Sequence, residues 1–164
     1  MLYWAYGSNL NIRQMKRRCP RAKQLRPLHM TESQLVFRGV ADITRTKNAI
    51  TPGGLWRISG ECERILDSYE GAGRGRESLY IKRYIPVLQD GRKQDCLFYM
   101  MKTTRGIQPP SEAYINIIEQ GYNDFGLDLA YLNEALEDAW GRKDLTPMLR
   151  ERYERKGRPR LAKI

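Results

Sequence analysis

Apolar positions along this 164-residue chain fall into short blocks whose spacing changes from block to block, and the spacing predicts the elements. Leu2-Tyr3-Trp4-Ala5-Tyr6 is continuous apolar and aromatic sequence that stops at Gly7, the pattern of a short buried strand running into a turn. Ile12, Met15 and Cys19 then recur at i, i+3 and i+7. Asn9 or Asn11 can cap the start of that helix, and Pro20 bars its continuation. Residues 34–43 form a second strand candidate, weakened by Gly39. Leu55-Trp56-Arg57-Ile58, after the turn signal Pro52-Gly53-Gly54, is a third.

Ser59 reads as a helix cap, with Glu61 and Glu63 in the first turn and Cys62, Ile65, Leu66 and Tyr69 along one face. This helix ends at Glu70-Gly71. Residues 79–88 and 93–101 flank Gln89-Asp90-Gly91-Arg92, whose Asp-Gly centre signals an antiparallel hairpin. Pro109-Pro110-Ser111 introduces a helix with Tyr114, Ile117, Ile118, Gly121 and Tyr122 on a shared face, broken around 123–126. A last helix starts at Asp128 and runs through Leu129, Leu132, Leu136 and Trp140 to a glycine stop at Gly141. Strands and helices do not alternate regularly, which favours a mixed α+β domain over a doubly wound sheet. The expected organisation is one domain over residues 1–141 and a basic C-terminal tail over 142–164, ordered in part at best, with only Leu145, Met148, Leu149 and Tyr153 to bury.

Charge changes this picture only locally. The net charge is +10, but residues 13–26 carry seven cations and no acid, and residues 142–164 carry nine cations against three acids. The rest of the chain therefore has a net negative charge. These two segments are candidates for an acidic or nucleic-acid partner, and solvated charge with no specific partner is the alternative. Cys19, Cys62 and Cys96 are odd in number and widely spaced, which predicts reduced thiols rather than a disulfide framework or a four-ligand zinc site. No apolar run reaches the length of a membrane span, and the first residues lack a basic lead with a long apolar core. A cytoplasmic protein without membrane attachment is expected.

His29 is the sole histidine and has no nucleophile beside it in sequence, so Ser-His or Cys-His catalysis is not indicated, and His29 is expected on a surface or loop. No His, Cys and carboxylate set stands at ligand spacing, so no metal is expected. The glycines of Gly71-Ala72-Gly73-Arg74-Gly75 follow a helix rather than a strand, which excludes a nucleotide phosphate loop. Two places remain. In Tyr6-Gly7-Ser8-Asn9-Leu10, a glycine after a strand and polar residues before a helix leave N–H groups free to hold a carboxylate or an oxyanion. The same turn would also serve as a plain connection capped by Ser8 or Asn9. Glu70 stands at the carboxyl end of its helix, where the dipole disfavours a carboxylate. Partial burial and that negative end both raise a glutamate's pKa toward the range of a general base, whereas a frayed, solvated glutamate is the plain alternative.

These two places together resemble the gamma-glutamylcyclotransferase-like family, whose members open with a strand running into a YGSNL-type turn and later carry a helix ending in leucine-aspartate-x-x-glutamate-glycine. Here the pieces are Tyr6-Gly7-Ser8-Asn9-Leu10 and Leu66-Asp67-Ser68-Tyr69-Glu70-Gly71. The similarity continues through a strand starting at Tyr80, Cys96-Leu97-Phe98-Tyr99-Met100, and Pro109-Pro110-Ser111-x-x-Tyr114, and covers about residues 2–136. The resemblance implies an α+β fold with a small mixed β-barrel and surrounding helices. It also implies a cofactor-independent enzyme that releases 5-oxoproline and a free amine or amino acid from a small gamma-glutamyl amide.

By the same resemblance, Glu70 is the general base and acid, and Tyr6 with the backbone of Gly7 to Leu10 holds the glutamyl unit. Tyr99 hydrogen-bonds the substrate or orients Glu70. Tyr80 and Tyr114 are further substrate-side candidates for which core burial is the alternative. One departure stands out: where many relatives carry tyrosine-x-arginine, this chain reads Tyr80-Ile81-Lys82, with Arg83 on the opposite strand face. The arginine-rich loop at 72–78 is expected as a rim over the pocket. The rival expectation is a non-catalytic binding module of the same fold that docks nucleic acid or an acidic partner. A third joins the two: an enzyme acting on a gamma-glutamyl group carried by a macromolecule, docked by the tail.

Overall fold

The first strand of the chain lies at the centre of its sheet. β1 (Leu2–Ala5) is buried throughout, because Leu2 and Trp4 cover one face and Tyr3 and Ala5 the other. It pairs antiparallel with β3 (Ala41–Arg57), Leu2 opposite Arg57 and Ala5 opposite Gly54, and parallel with β5 (Arg92–Met101), Leu2 opposite Cys96. β2 (Lys23–Phe37) borders β3 and β4 (Tyr80–Gln89) borders β5, giving the order β2-β3-β1-β5-β4. The structure is a computed structural model and describes residues 1–72, 78–102 and 106–141. Most of the arginine-rich loop and the basic tail at 142–164 lie outside the described residues.

Among the described residues four helices attach to this sheet: α1 (Ile12–Arg18), α2 (Gly60–Glu70), α3 (Glu112–Phe125) and α4 (Leu129–Trp140). Their starts follow the capping residues. Asn11, Ser59, Ser111 and Asp128 each accept a backbone N–H of the first turn, and Gly71 and Gly126 end α2 and α3 in the left-handed conformation. Asp90 and Gly91, both at positive φ, close the β4–β5 hairpin as their types predict. The mixed α+β class is as expected. The barrel is not closed, however: among the described residues no ladder joins β2 to β4, and Arg26 of β2 spans that gap by donating to the Leu88 carbonyl at 2.9 Å.

Three sequence expectations are corrected. The strand predicted over 34–43 is divided at Gly39, and the strands on either side of it are far longer than expected. Pro52-Gly53-Gly54 lies inside β3 rather than in a turn. The glycines are there for close approach: a Cβ on Gly53 would sit 2.1 Å from the Trp4 indole nitrogen, and one on Gly54 2.5 Å from the Phe125 ring. The expected reduced thiols give way to a Cys19–Cys62 disulfide, formed because α1 and α2 pack side by side and bring the two Cα atoms to 5.2 Å. Cys96 is free and buried.

Candidate active site

After β1 the chain enters a tight 3-10 turn, Ser8–Leu10. The turn's own bonds run from Leu10 N–H to the Gly7 carbonyl (3.0 Å) and from Asn11 N–H to the Ser8 carbonyl (3.1 Å). The Ser8 and Asn9 amides take no part in these bonds, and Ser8 lies in hydrogen-bond contact with Tyr114. α3 presses on this turn so closely that a Cβ on Gly121 would lie 2.5 Å from Leu10 Cβ and 2.7 Å from the Asn11 nitrogen. Gly7 is nearly as confined, its missing Cβ falling 3.1 Å from Ala41 Cβ and 3.4 Å from the Tyr114 hydroxyl.

Glu70 comes to the same place from α2. Cys62 and Leu66 are the buried residues of α2, and Glu70 follows at the same spacing of four, so its side chain continues the core-facing stripe. The turn and the helix end therefore meet directly: Asn9 Nδ2 donates to Glu70 Oε1 at 3.1 Å and to the Tyr3 hydroxyl oxygen at 2.9 Å. Arg18, the last residue of α1, donates from Nη1 to Asn9 Oδ1 at 2.6 Å. Its guanidinium lies 4.3 Å from the centre of the Tyr69 ring.

Burial is the main influence on Glu70, and it pushes the carboxyl up to about 7, against the smaller opposing effects of the Arg18 charge and the Asn9 hydrogen bond. The helix-end carboxylate is thus not frayed into solvent but held against Asn9 in a partly buried position. Five tyrosines stand close enough to feel its charge: Tyr3, Tyr6, Tyr80, Tyr99 and Tyr114 are all raised, burial being the first cause in each and the Glu70 charge a further one. Tyr6 donates to the Tyr99 carbonyl, Tyr80 to the Ala41 carbonyl, both at 2.7 Å, and Tyr114 accepts from the Ala41 N–H at 3.3 Å. Tyr99 donates at 2.7 Å to Asp67 Oδ1, one turn before Glu70.

The turn at Gly7–Leu10, Glu70, Tyr80, Tyr99 and Tyr114 lie near one another, whereas the Tyr6 ring packs on Trp4 and reaches them only through its hydroxyl on the Tyr99 carbonyl; the contacts differ from the expectation in detail. Asn9 was expected to act through its main chain and contributes its side chain as well. Tyr99 reaches Asp67 rather than Glu70. The Lys82 ammonium, two residues beyond Tyr80, bridges Glu63 (2.6 Å) and Asp67 (2.8 Å) of α2. Tyr3, Arg18, Asp67 and Lys82 were not found from sequence. A signal existed only for Tyr3, an aromatic facing away from Trp4 in a strand buried on both sides.

His29 lies on β2, exposed, at the border of a separate cavity of about 660 Å³ between β2 and β4. That cavity is walled by Leu28, Met30, Val87, Phe98 and Met100. Phe98 and Met100 alternate with Tyr99 along β5, so the cavity opens on the far face of the strand from Glu70. No helix among the described residues is long and apolar enough to cross a membrane.

Comparison with known proteins agrees with this geometry. The gamma-glutamylcyclotransferase of Homo sapiens is 29% identical over 143 residues, covering 79% of this chain and 74% of the human protein. The Bos taurus protein of the same name is 28% identical over the same length. A solved structure named gamma-glutamyl cyclotransferase superposes with a TM-score of 0.69 at 24% identity, covering 96% of this chain and 99% of its own, and shows the same fold. The sequence profile of the AIG2-like family matches residues 52–135, half of the chain, a stretch that holds β3's end, α2 with Glu70, the β4–β5 hairpin and α3. The chain belongs to the AIG2-like family, and with it to the gamma-glutamylcyclotransferase-like proteins that its opening turn and its Glu70 helix resemble.

Proposed function

We propose that this protein is an enzyme that cleaves a gamma-glutamyl amide by cyclisation, releasing 5-oxoproline and a free amine or amino acid. The observation that carries the reading is the Asn9–Glu70 contact, which sets a carboxyl with a raised pKa against the turn that follows β1. The names of the relatives point the same way.

In this reaction the substrate brings its own nucleophile. Its alpha-amine attacks the gamma-carbonyl carbon, forming the ring C–N bond and placing negative charge on the carbonyl oxygen. The Glu70 carboxylate takes the proton lost by the attacking nitrogen. The oxygen collapses back to a carbonyl as the old C–N bond breaks, and Glu70 returns the proton to the leaving nitrogen. Such a carrier works best when its pKa lies near the working pH, which burial of Glu70 provides. In this reading the backbone of the Gly7–Leu10 turn holds the glutamyl unit or the developing oxyanion. In this reading Tyr6, Tyr80, Tyr99 and Tyr114 are substrate-side residues, and Tyr99 is tied to Asp67. Ring closure within one molecule needs chiefly orientation, which a tight turn on a rigid strand supplies.

The test is incubation with a panel of gamma-glutamyl dipeptides, glutathione and gamma-glutamyl amines while following 5-oxoproline. The wild type should release it from at least one member, and Glu70→Gln, still folded, should release none above background. A Glu70→Gln variant that keeps wild-type turnover removes Glu70 from the chemistry.

A further inference from the structure

The Asn9 side chain has one acceptor and two donor positions, and all three are assigned by its neighbours. A guanidinium can only donate, so the Asn9 atom 2.6 Å from Arg18 Nη1 has to be the oxygen. With the oxygen fixed, the amide nitrogen faces Glu70 Oε1 at 3.1 Å and the Tyr3 hydroxyl at 2.9 Å, and its two hydrogens serve those two bonds. Arg18 is held in turn. Its guanidinium stacks on Tyr69, the residue before Glu70 in α2, and the next residue, Cys19, is joined to α2 through Cys62. Tyr69 is 60% exposed, an aromatic side chain that core packing does not explain. Its contact with Arg18 gives it a structural purpose.

We propose that Arg18, clamped between Tyr69 and Asn9, is a positioning residue that locks the Asn9 amide with its N–H toward Glu70 and so keeps Glu70 available as a carboxylate. An N–H aimed at a carboxyl oxygen favours the ionised form. The reversed amide would offer its oxygen, accept a proton from the neutral acid and favour that form instead. Without Arg18 the orientation follows the protonation state of Glu70 instead of being fixed beforehand, and a positive charge near Glu70 is lost as well. Both effects act in the same direction. The other groups around Glu70 push the opposite way or are neutral: Tyr3 from β1, Tyr6 just after it, Tyr80 from β4, Tyr99 from β5 and Tyr114 from α3 are un-ionised hydroxyls. Asp67 on α2 is paired with Lys82 and Tyr99. Arg18 is thus the charge that opposes the cost of burying Glu70.

The inference rests on Glu70 as proton carrier, and its test separates the two ideas. The carboxyl carbon of residue 70 in ¹³C-glutamate-labelled protein, identified by its absence in Glu70→Gln, is followed by NMR across pH in the wild type, Arg18→Met, Arg18→Lys, Tyr69→Leu and Arg17→Met. The Arg18→Met midpoint should rise by about one pH unit or more, the size expected for loss of a nearby opposite charge. Arg18→Lys should recover part of the shift, and Tyr69→Leu, which frees the guanidinium but keeps its charge, should show a smaller rise. Arg17→Met removes an exposed charge from the same helix and should match the wild type. In 5-oxoproline assays the acid limb of Arg18→Met should move by the same amount, with kcat on the alkaline plateau reduced less than threefold. An Arg18→Met or Tyr69→Leu midpoint equal to wild type in a folded protein overturns the proposal. If Arg18→Met does not fold, Tyr69→Leu alone decides. A wild type that releases no 5-oxoproline refutes the proposed function, while the NMR midpoints still decide the role of Arg18.

Discussion

A proton carrier held in a partly buried site makes the folded protein less stable at the pH where it works, and the size of that effect follows from Glu70. Its carboxyl is raised from 4.5 to about 7, so the folded state binds this proton more tightly than the unfolded chain does. The sign follows: the group's contribution to stability is full below pH 4.5 and is lost progressively as pH rises through 7. At about 1.36 kcal/mol per unit, the loss totals about 3 kcal/mol, an upper figure because Glu70 retains some contact with solvent. Glu70→Gln removes the titration and keeps an oxygen for the Asn9 N–H. Urea unfolding should therefore show the variant within about half a kcal/mol of wild type at pH 4.5 and more stable by about 2–3 kcal/mol at pH 8.5. For a protein of this length the difference at the higher pH corresponds to roughly 6–10 °C in Tm. The variant that loses catalysis should thus gain stability, and only on the alkaline side. A constant offset at both pH values, or a variant less stable at pH 8.5, would refute the burial argument.

Lys82→Met leaves Glu63 and Asp67 without their shared cation at partly exposed positions, and should lower stability by about 1–2 kcal/mol in urea unfolding, less at high salt. An unchanged midpoint would show that solvent already screens the pair. Reducing the Cys19–Cys62 bridge, or replacing both residues by serine, opens a loop of 43 residues and should cost up to about 4 kcal/mol, read as a fall in the urea midpoint on adding a dithiol. Gly121→Ala should destabilise by about 1–3 kcal/mol despite alanine's higher helix propensity, because the added methyl meets Leu10 Cβ and the Asn11 backbone. It should also raise KM for any gamma-glutamyl substrate, since the displaced turn is the one proposed to hold the glutamyl unit. A variant with normal KM would place substrate contacts elsewhere.

Local chemistry was legible in the sequence wherever one residue decides one backbone feature. Ser59, Ser111 and Asp128 start helices, Gly71 ends one, and Asp90-Gly91 turns a hairpin, each as its type requires. The long β2–β3 pair was not legible. Most of its outer half is exposed and polar, so no alternation marks it, and an irregular pairing between Thr31 and Ser33 shifts its register. Gly53-Gly54 imitated a turn because glycine serves equally where an aromatic side chain must touch backbone.

At the site, Glu70 was visible because a carboxylate at a helix carboxyl end violates a local preference, whereas Arg18 violates none: a cation there is what a helix end favours. Its role depends on Asn9 and Tyr69, and Lys82 likewise depends on a helix 15–19 residues earlier, so neither contact leaves a trace in local pattern. The disulfide was missed for a related reason. Forty-three residues separate the two cysteines, and only the packing of α1 on α2 makes them neighbours.

The ring of tyrosines around Glu70 has a further consequence. Each of the five hydroxyls has a fixed partner, and burial beside a carboxylate raises all of them, so none gives up its proton while this packing holds. The ultraviolet absorbance of tyrosinate from these rings is therefore a built-in gauge. On raising the pH, their share of the signal appears only when the packing loosens and admits hydroxide, which lets its integrity be watched without a label, a substrate or an inhibitor.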